Sequence, residues 1–463
     1  MKSQRFAYGI TEMTRNLLPE FLLIMYLSTA WFIKTKYNRI INNSLIFILA
    51  AFACYVDDKS IRFELLSQEY SISLLKSLLL FGGFIISYST KEEDFKRQIL
   101  TACSILGSLV IISTKDFLTL FFTIELAVIP VYILIQKDDS PPKTYSYFIF
   151  DMVSTIFFAV AIGLIYYSTE SVNFDDVRYI ISLSSDQNKI NWLSLLLIAV
   201  SFYIRLGAFL CNSWIFDLIE KKTSSAQLIC CTLQIAIAFV FHRLITNIFY
   251  HLDTQNIILI IGLISMIFIS FSLIFQNNIK KIIAHGVTYH ASSIFICSSF
   301  QSYNGMRGMV FSIISEMISL LGIFILLLKI KGSKFQEIKN INDLNSLSYK
   351  SPVLILSISV IFLSLMGFPP FLGFWSRFYI CLSLIGENFS TAVYMISFIL
   401  NLIFVAKILD TLWFHKCSGS NESFTLDDVS TKMIYFLSFL TTAAIPFAQK
   451  ILELAEIEMY FAQ

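Results

Sequence analysis

The chain contains many separate apolar runs, each about as long as a membrane is thick. A helix needs ~20 mostly apolar residues to cross the hydrocarbon core of a bilayer. By this measure, spans are predicted at 17–33, 40–55, 70–89, 98–113, 116–136, 145–167, 190–212, 224–250, 256–276, 282–300, 308–328, 351–385, 390–411 and 433–449. The sequence therefore predicts an all-α, polytopic membrane protein of about fourteen transmembrane helices.

Composition supports this fold class, because 56% of the residues are hydrophobic and only 14% are charged. A soluble domain carries roughly 25% charged residues, which it needs to cover a surface that faces water. The net charge of +2 favours no nucleic-acid partner. High counts of Phe (45) and Tyr (21) beside low counts of Gly (16) and Pro (8) suit an AT-rich genome, as in an organelle.

Lysines and arginines alternate between the loops on the two sides of the predicted spans. Loops after odd-numbered spans hold 19 of them, whereas loops after even-numbered spans and the C-terminal tail together hold 7. Basic residues concentrate on the cytoplasmic or matrix side of a membrane. We therefore expect the odd-numbered loops on that side and both termini on the opposite side.

Four charged residues inside the predicted spans are candidates for function, because a charge near the bilayer centre costs at least ~2.5 kcal/mol. Glu125 and Arg205 lie in the middle of their spans, and Lys407 lies in an apolar stretch of the thirteenth. Arg377 follows Gly367-Phe368-Pro369-Pro370, and these prolines predict a broken helix in the unusually long twelfth span. Buried groups of this kind suit either a proton relay or a structural ion pair.

The other charged residues in apolar context have weaker interpretations. Asp151 and Asp410 lie near span ends, where water can reach them, and Glu316 is expected to face protein rather than lipid. For Lys76 and Arg243 two interpretations are equally supported: a group held inside the protein, or a long side chain that reaches the membrane surface.

Polar uncharged and imidazole groups join these charges at similar depths. Gln234 lies inside the eighth span, and His285 and His290 lie five residues apart in the tenth. Histidine is the side chain that exchanges a proton most easily near neutral pH. Because these groups are spread over many spans, they favour a relay over a single binding pocket, although buried histidines often serve only in packing.

Motifs for bound cofactors or metals are not evident. The eight cysteines form no C-x-x-C pair, the five histidines form no H-E-x-x-H motif, and neither G-x-G-x-x-G nor a Walker loop occurs. We expect no cofactor and no metal in this chain.

Four stretches in a particular order carry a resemblance to a known family. They are Ile124-Glu125-Leu126 with Pro130 and Tyr132, Trp214-Ile215-Phe216-Asp217-Leu218-Ile219-Glu220, Asn278-Ile279-Lys280-Lys281-Ile282-Ile283-Ala284-His285, and Leu363-Ser364-Leu365-Met366-Gly367-Phe368-Pro369-Pro370-Phe371-Leu372-Gly373-Phe374. Together they resemble the antiporter-like membrane-arm subunits of proton-pumping NADH:quinone oxidoreductase, respiratory complex I. The resemblance covers roughly residues 98–410.

The resemblance implies two inverted five-helix repeats that contain broken helices. The implied organisation is a three-helix extension at 1–97, a first repeat at 98–255, a second repeat at 256–415, and a C-terminal helix and tail at 416–463. In the seventh span Leu210 and Phe216 stand where the family has prolines, so only Gly207 would permit a break there.

The resemblance also assigns site residues. It places the family's fifth-helix glutamate at Glu125, its tenth-helix histidine at His290, and three relay lysines at Arg205, Gln234 and Arg377. Arginine stays protonated at accessible pH and glutamine does not titrate. Two alternatives follow: the arginines act as fixed electrostatic gates while water and His290 carry protons, or the channel has become structural.

The function implied is that of a proton-translocating subunit of NADH:ubiquinone oxidoreductase. The chain would carry no redox centre, would bind other membrane-arm subunits and lipids in a hetero-oligomer, and would lie in the mitochondrial inner membrane. Two alternatives stay open, a subunit of an Mrp-type cation/proton antiporter and a membrane-arm scaffold that does not pump.

Overall fold

The computed structural model describes residues 20, 23, 66–89, 95–136, 145–183, 189–221, 223–249, 255–329, 340–341, 352–414 and 426–443. Regular structure in these residues is helical throughout, and the only β-pairing among them is two isolated bridges, Asp116 with Asn173 and Asn278 with Asn340. The predicted spans at 17–33 and 40–55 lie outside the described residues, apart from Glu20 and Leu23.

The first eight helices follow one another with short connections. They are α1 (Leu66–Ser89), α2 (Phe95–Ser113), α3 (Phe117–Gln136), α4 (Tyr145–Thr169), α5 (Phe174–Leu183), α6 (Lys189–Leu206), α7 (Ser213–Lys221) and α8 (Thr223–Ile248). Helix α8 contains two π-helical turns, Ile229–Leu233 and Leu244–Ile248.

Seven more helices complete the described part of the chain. They are α9 (Gln255–Ile274), α10 (Ile279–Ser298), α11 (Tyr303–Lys329), α12 (Pro352–Met366), α13 (Leu372–Ser383), α14 (Asn388–Trp413) and α15 (428–443). Each predicted span from the third to the thirteenth coincides with one of these helices or with a helix pair, and the twelfth is broken as expected.

Within the described residues, nine helices are long and apolar enough to cross a membrane. The predicted total of fourteen spans includes segments outside the described residues, so that number stays a prediction. For the described residues, the predicted all-helical architecture is confirmed, and nine helices have the length and composition of membrane spans.

Helices α8, α10 and α11 form the centre of the described part of the molecule. In both α8 and α11, 94% of the residues in the apolar stretch of the helix are buried inside the protein. The corresponding share is 28% in α4 and 33% in α14. The peripheral helices expose large apolar side chains such as Phe122, Ile156 and Ile399. Such an outer surface suits lipid, because the hydrocarbon core offers no hydrogen bonds to polar side chains, and it equally suits the apolar face of a neighbouring membrane subunit.

Helix α5 was not predicted from the sequence. It buries Phe174, Val177 and Ile181 on one face and places Asp175 and Asp176 in its first turn, where the helix dipole favours acidic groups. Its ten residues are too few to span a bilayer. The search for long apolar runs therefore missed it.

Candidate functional site

The first helix break separates α6 from α7 at Gly207. This residue has φ +64°, a left-handed conformation that glycine adopts without steric cost. The amide of Gly207 donates to the Ile204 carbonyl at 3.1 Å, and that of Ala208 donates to the Tyr203 carbonyl at 3.2 Å. These are the two bonds of a Schellman cap. The indole of Trp214 also donates to the Ile204 carbonyl at 3.1 Å, so α6 ends inside the protein with partnered carbonyls.

This break forms without the prolines of the resembled family. The local sequence made a break there uncertain, because Leu210 and Phe216 occupy the proline positions. Gly207 turns the chain at the end of α6, and Leu210 is a second residue of this connection with positive φ, +74°.

Arg205 joins three helices immediately before this break. Its Nη1 donates to the Asp151 carboxylate at 2.6 Å, and its Nη2 donates to the Thr155 hydroxyl at 2.6 Å and to the Glu125 carboxylate at 3.2 Å. The Tyr132 hydroxyl donates to the second oxygen of Asp151 at 2.5 Å. One guanidinium therefore connects acids from α3 and α4 to the end of α6; we call these five residues the Arg205 cluster.

Within this cluster the two carboxylates differ in exposure. The side chain of Asp151 is 4% exposed and that of Arg205 is 2% exposed, whereas that of Glu125 is 22% exposed. Asp151 is therefore the inner partner of the guanidinium, and Glu125 is the partner that another molecule can reach. Glu125 lies between Phe122 and Leu126, two exposed apolar side chains of α3.

Asp151 corrects an interpretation made from the sequence. Its position near the start of the sixth span suggested a wetted residue, but it is buried and paired with Arg205. The helical spacing of its neighbours could have predicted that Asp151 is buried. The buried face of α4 carries Tyr147, Asp151, Ser154 and Phe158.

Gln234 stabilises the same break from α8. Its side-chain amide donates to the Leu206 carbonyl at 2.6 Å, and Leu206 is the last residue of α6. Its Oε1 is buried and accepts no hydrogen bond from the described residues. Gln234 directly follows the π-helical turn Ile229–Leu233. The side chain thus acts as a neutral donor to the negative end of a helix.

The second break separates α12 from α13 at Gly367, and it is capped in the same way. Gly367 has φ +87°, its amide donates to the Ser364 carbonyl at 3.1 Å, and the amide of Phe368 donates to the Leu363 carbonyl at 2.8 Å. A Cβ on Gly367 would lie 2.6 Å from Cγ of Arg377. Glycine is therefore needed both for the turn and for the approach of Arg377.

Arg377 and His290 meet at this second break. Nε2 of His290 lies 3.0 Å from the Leu365 carbonyl, and its Nδ1 lies 3.3 Å from Nη2 of Arg377. A carbonyl only accepts and a guanidinium only donates, so Nε2 carries the hydrogen and Nδ1 accepts. The neutral Nε2–H tautomer of His290 satisfies both contacts, and Nη2 of Arg377 also lies 3.5 Å from Nε2.

Arg377 has a different environment from Arg205. It is 2% exposed, and its guanidinium lies 4.4 Å from the centre of the Tyr289 ring, which provides a cation–π contact. Its Nε and Nη1 have no hydrogen-bond partner among the described residues. Over the same residues it forms no ion pair with a carboxylate.

Comparison with known proteins assigns the chain to a family. The family model for the transmembrane region of NADH:quinone oxidoreductases and Mrp antiporters matches residues 114–404, more than half of the chain. The chain belongs to the NADH:quinone oxidoreductase/Mrp antiporter family.

One similar protein and two solved structures illustrate the likeness, and the two structures show a shared fold. NADH-quinone oxidoreductase subunit N of Pelagibacter ubique is 26% identical over 89% of this chain and 91% of its own length. A chain in a structure of respiratory complex I from Thermus thermophilus has a TM-score of 0.79 at 16% identity, covering 97% of this chain and 100% of that one. A chain of the Mrp complex from Dietzia has a TM-score of 0.81 at 13% identity, covering 97% of each.

Of the six site residues predicted from the sequence and the family resemblance, five lie at the two breaks. Glu125, Arg205 and Gln234 meet at the end of α6, and His290 and Arg377 meet at the end of α12. Lys407 lies elsewhere: its ammonium donates to Asn277 Oδ1 at 2.7 Å and lies 3.4 Å from the carbonyl of Ile274, the last residue of α9. The relay role of Lys407 stays a prediction, although its contacts are those of a C-terminal helix cap.

Two further basic residues inside the spans contact distant parts of the chain. Lys76 forms an ion pair with Glu20 at 2.7 Å, and both side chains are 4% exposed, so Lys76 is a buried group and not a surface anchor. Arg243 donates to the Thr114 carbonyl at 3.1 Å. Neither contact was predictable from the sequence, because each joins segments that are far apart in the chain.

Proposed function

We propose that this chain is a proton-translocating membrane-arm subunit of an NADH:quinone oxidoreductase, equivalent to subunit N. The observation that carries the proposal is the Arg205 cluster, in which one permanently charged guanidinium holds two carboxylates beside a helix break. A structural ion pair needs only one acid, whereas a second and more accessible acid gives the cation an alternative partner. The similarity to subunit N over most of both chains supports the same function.

The proposed proton carrier of this cluster is Glu125. Its bond to Arg205 is 3.2 Å long, against 2.6 Å for the bond between Arg205 and Asp151. If the guanidinium moves toward Asp151, Glu125 keeps only the hydroxyl of Thr155, at 2.9 Å, and binds a proton more readily. When the guanidinium returns, the proton is released. Arg205 itself stays charged throughout.

The helix break supplies the movement in this proposal. Arg205 lies one residue before the end of α6, and the carboxyl end of a helix carries a partial negative charge. A shift of the turn at Gly207 therefore moves the cation relative to both carboxylates. Gln234 follows this shift through its bond to the Leu206 carbonyl.

Arg377 controls proton transfer at the second break. A proton added to Nδ1 of His290 would face the guanidinium at 3.3 Å, and two like charges at that distance repel. His290 can take up a proton only when Arg377 moves away. This favours the first sequence-based alternative, in which the arginines act as electrostatic gates.

Other parts of the proposal concern the assembly. The redox chemistry of NADH and quinone belongs to other chains, and this chain contributes proton transfer as part of a hetero-oligomer with other membrane-arm subunits and lipids. The skew toward Phe and Tyr favours the mitochondrial inner membrane as its location.

A subunit of an Mrp-type cation/proton antiporter is the second candidate. The fold similarity to a chain of the Mrp complex from Dietzia supports it. Purification of the chain with its partners in mild detergent separates the two candidates. We expect a large assembly that oxidises NADH; an assembly that exchanges sodium for protons without NADH oxidation would favour the antiporter.

Proton pumping by reconstituted complex tests the role of the Arg205 cluster. We expect Glu125→Gln to lower proton transfer per NADH oxidised while the complex remains assembled. Wild-type pumping by this variant would exclude Glu125 as a carrier and would support the scaffold interpretation.

A further inference from the structure

Glu316 is a buried acid that has no part in either break. It lies near the middle of α11, the helix that shares the centre of the molecule with α8. The residue is 3% exposed, so it does not face lipid. A carboxylate at such a position is expensive to maintain unless it serves a purpose or is compensated nearby.

The surroundings of Glu316 connect it to both breaks. Helix α11, at whose middle Glu316 lies, packs against the π-helical turn Ile229–Leu233 of α8 and against α13, which carries Arg377. This π-helical turn immediately precedes Gln234. Glu316 therefore lies between the helix segment that ends at Gln234 and the guanidinium of the second break.

Among the described residues, no hydrogen bond or ion pair occupies the Glu316 carboxylate, in contrast to Asp151 and Glu125. Its charged neighbour at the second break is Arg377, and α12 contains no charged residue. Lys76 of α1 is already paired with Glu20. Within this part of the chain, the carboxylate thus has no fixed partner that would hold it in one protonation state.

Serine hydroxyls extend from Glu316 along α11 in both directions. Ser312, one turn before it, lies 3.1 Å from the hydroxyl of Ser293 on α10. Ser293 in turn donates to the His290 carbonyl at 2.7 Å. Ser319, about one turn after Glu316, donates to the hydroxyl of Ser364 at 3.2 Å, in the capped end of α12. Hydroxyl groups both donate and accept, so these serines give Glu316 a polar surrounding on either side along α11.

We propose that Glu316 is the titratable proton-relay group between the Arg205 cluster and the Arg377 site. This inference rests on the proposed function of the chain. The carboxylate accepts the proton that Glu125 releases and becomes a neutral acid. It then gives this proton to Nδ1 of His290, once Arg377 has moved away, and becomes a carboxylate again. Glu316 thus performs a step that Gln234 cannot perform, because an amide does not titrate.

Proton translocation by the assembled, reconstituted complex tests this role. We expect Glu316→Gln to lower the rate of coupled proton transfer by about 10²-fold, the usual contribution of a positioned acid–base group. Glu316→Asp should retain most of the rate. Asp410→Asn makes the same carboxylate-to-amide change at an exposed position of α14 and should pump as the wild type does.

A rescue variant separates proton transfer from structure. Gln234→Glu places a titratable group next to the turn that Glu316 faces, and combined with Glu316→Gln it should restore part of the lost rate. Infrared difference spectra of the turning-over complex should show a protonated carboxyl band that shifts in Glu316→Asp. This second readout needs only the conservative variant, so it remains informative if Glu316→Gln does not assemble.

The outcomes distinguish this inference from the function on which it rests. If Glu316→Gln assembles and pumps normally while Glu125→Gln does not, the role of Glu316 is overturned and the proposed function stands. If both variants pump normally, the proposed function itself is wrong. A carboxyl band that is unchanged in Glu316→Asp would also overturn the role of Glu316.

Discussion

The two buried arginines lie at helix breaks of the same construction, yet their partners differ. Both breaks have a glycine with positive φ and the two hydrogen bonds of a Schellman cap. Arg205 is held by two carboxylates, with bonds of 2.6 and 3.2 Å. Arg377 contacts an imidazole and an aromatic ring and pairs with no carboxylate in the described residues.

The difference teaches that backbone geometry and charge environment are set independently. The cap decides only where a helix ends and where its negative end points. The acids that reach the arginine decide whether its charge is neutralised in place. The Arg205 cluster is therefore a stable ion-pair arrangement, whereas the Arg377 site depends on neutral groups and on the more distant Glu316.

Removal of each arginine should give the largest difference in stability between the two sites. We expect Arg205→Ala to destabilise the chain by about 3–5 kcal/mol, because it leaves buried carboxylates without their cation. Arg377→Ala should lower stability by less, because Arg377 forms no ion pair with a carboxylate among the described residues. Its removal therefore breaks no such pair. The yield of assembled complex and its thermal inactivation midpoint measure the effect. Equal losses in the two variants would show that the two sites are energetically alike.

Alanine at the break glycines should have the next largest effect. Gly367→Ala forces positive φ on an alanine and brings its Cβ within 2.6 Å of Arg377 Cγ, and we expect a cost of about 2–3 kcal/mol. Gly207→Ala should cost a similar amount, since its Cβ would lie 2.2 Å from Ile215.

Gly163 in α4 supplies the matched control for these glycines. A Cβ added there would meet no heavy atom of another segment within 4 Å, so Gly163→Ala should stabilise the helix by about 0.5–1 kcal/mol. Thermal inactivation of the three purified variants orders them. A destabilised Gly163→Ala with a neutral Gly367→Ala would contradict the conformational explanation.

Two tyrosine hydroxyls provide the smallest and sharpest test. Tyr132→Phe removes a hydrogen bond to the Asp151 carboxylate, and we expect a loss of about 1.5–3 kcal/mol. Tyr394→Phe removes a bond of 3.1 Å to the neutral carbonyl of Arg377 and should cost only about 0.5–1.5 kcal/mol. Thermal midpoints of the two variants measure the difference. A larger loss for Tyr394→Phe would show that the charge of Asp151 adds no strength to its hydrogen bond.

Several elements followed from the sequence alone because their cause is local. Apolar runs located the helices from the third span to the thirteenth, and Gly367 with the two following prolines located the second break. The motifs also identified five residues that lie at the two breaks. Helix α5 was missed because it is short, and the first break was uncertain because a single glycine is a weak signal.

Contacts between distant segments did not follow from the sequence. Asp151 looked like a wetted residue, yet packing of α4 against α6 buries it beside Arg205. Glu316 had a weaker interpretation than Glu125, and only the packing of α11 against α13 brings it near the helix that carries Arg377. Lys407 looked similar to the arginines but contacts the end of α9 instead.

The amino-acid sequence by itself determined that the chain is a helical membrane protein with charges inside its spans, because hydrophobicity and helix length act along a continuous segment. Tertiary structure alone decided which charges meet. An ion pair over about 3 Å depends on how helices pack and rotate, and residues such as Glu125 and Arg205 are 80 positions apart in the chain. Among the described residues, the arginine at the first break, Arg205, is therefore paired with acids, whereas the arginine at the second break, Arg377, has no paired acid.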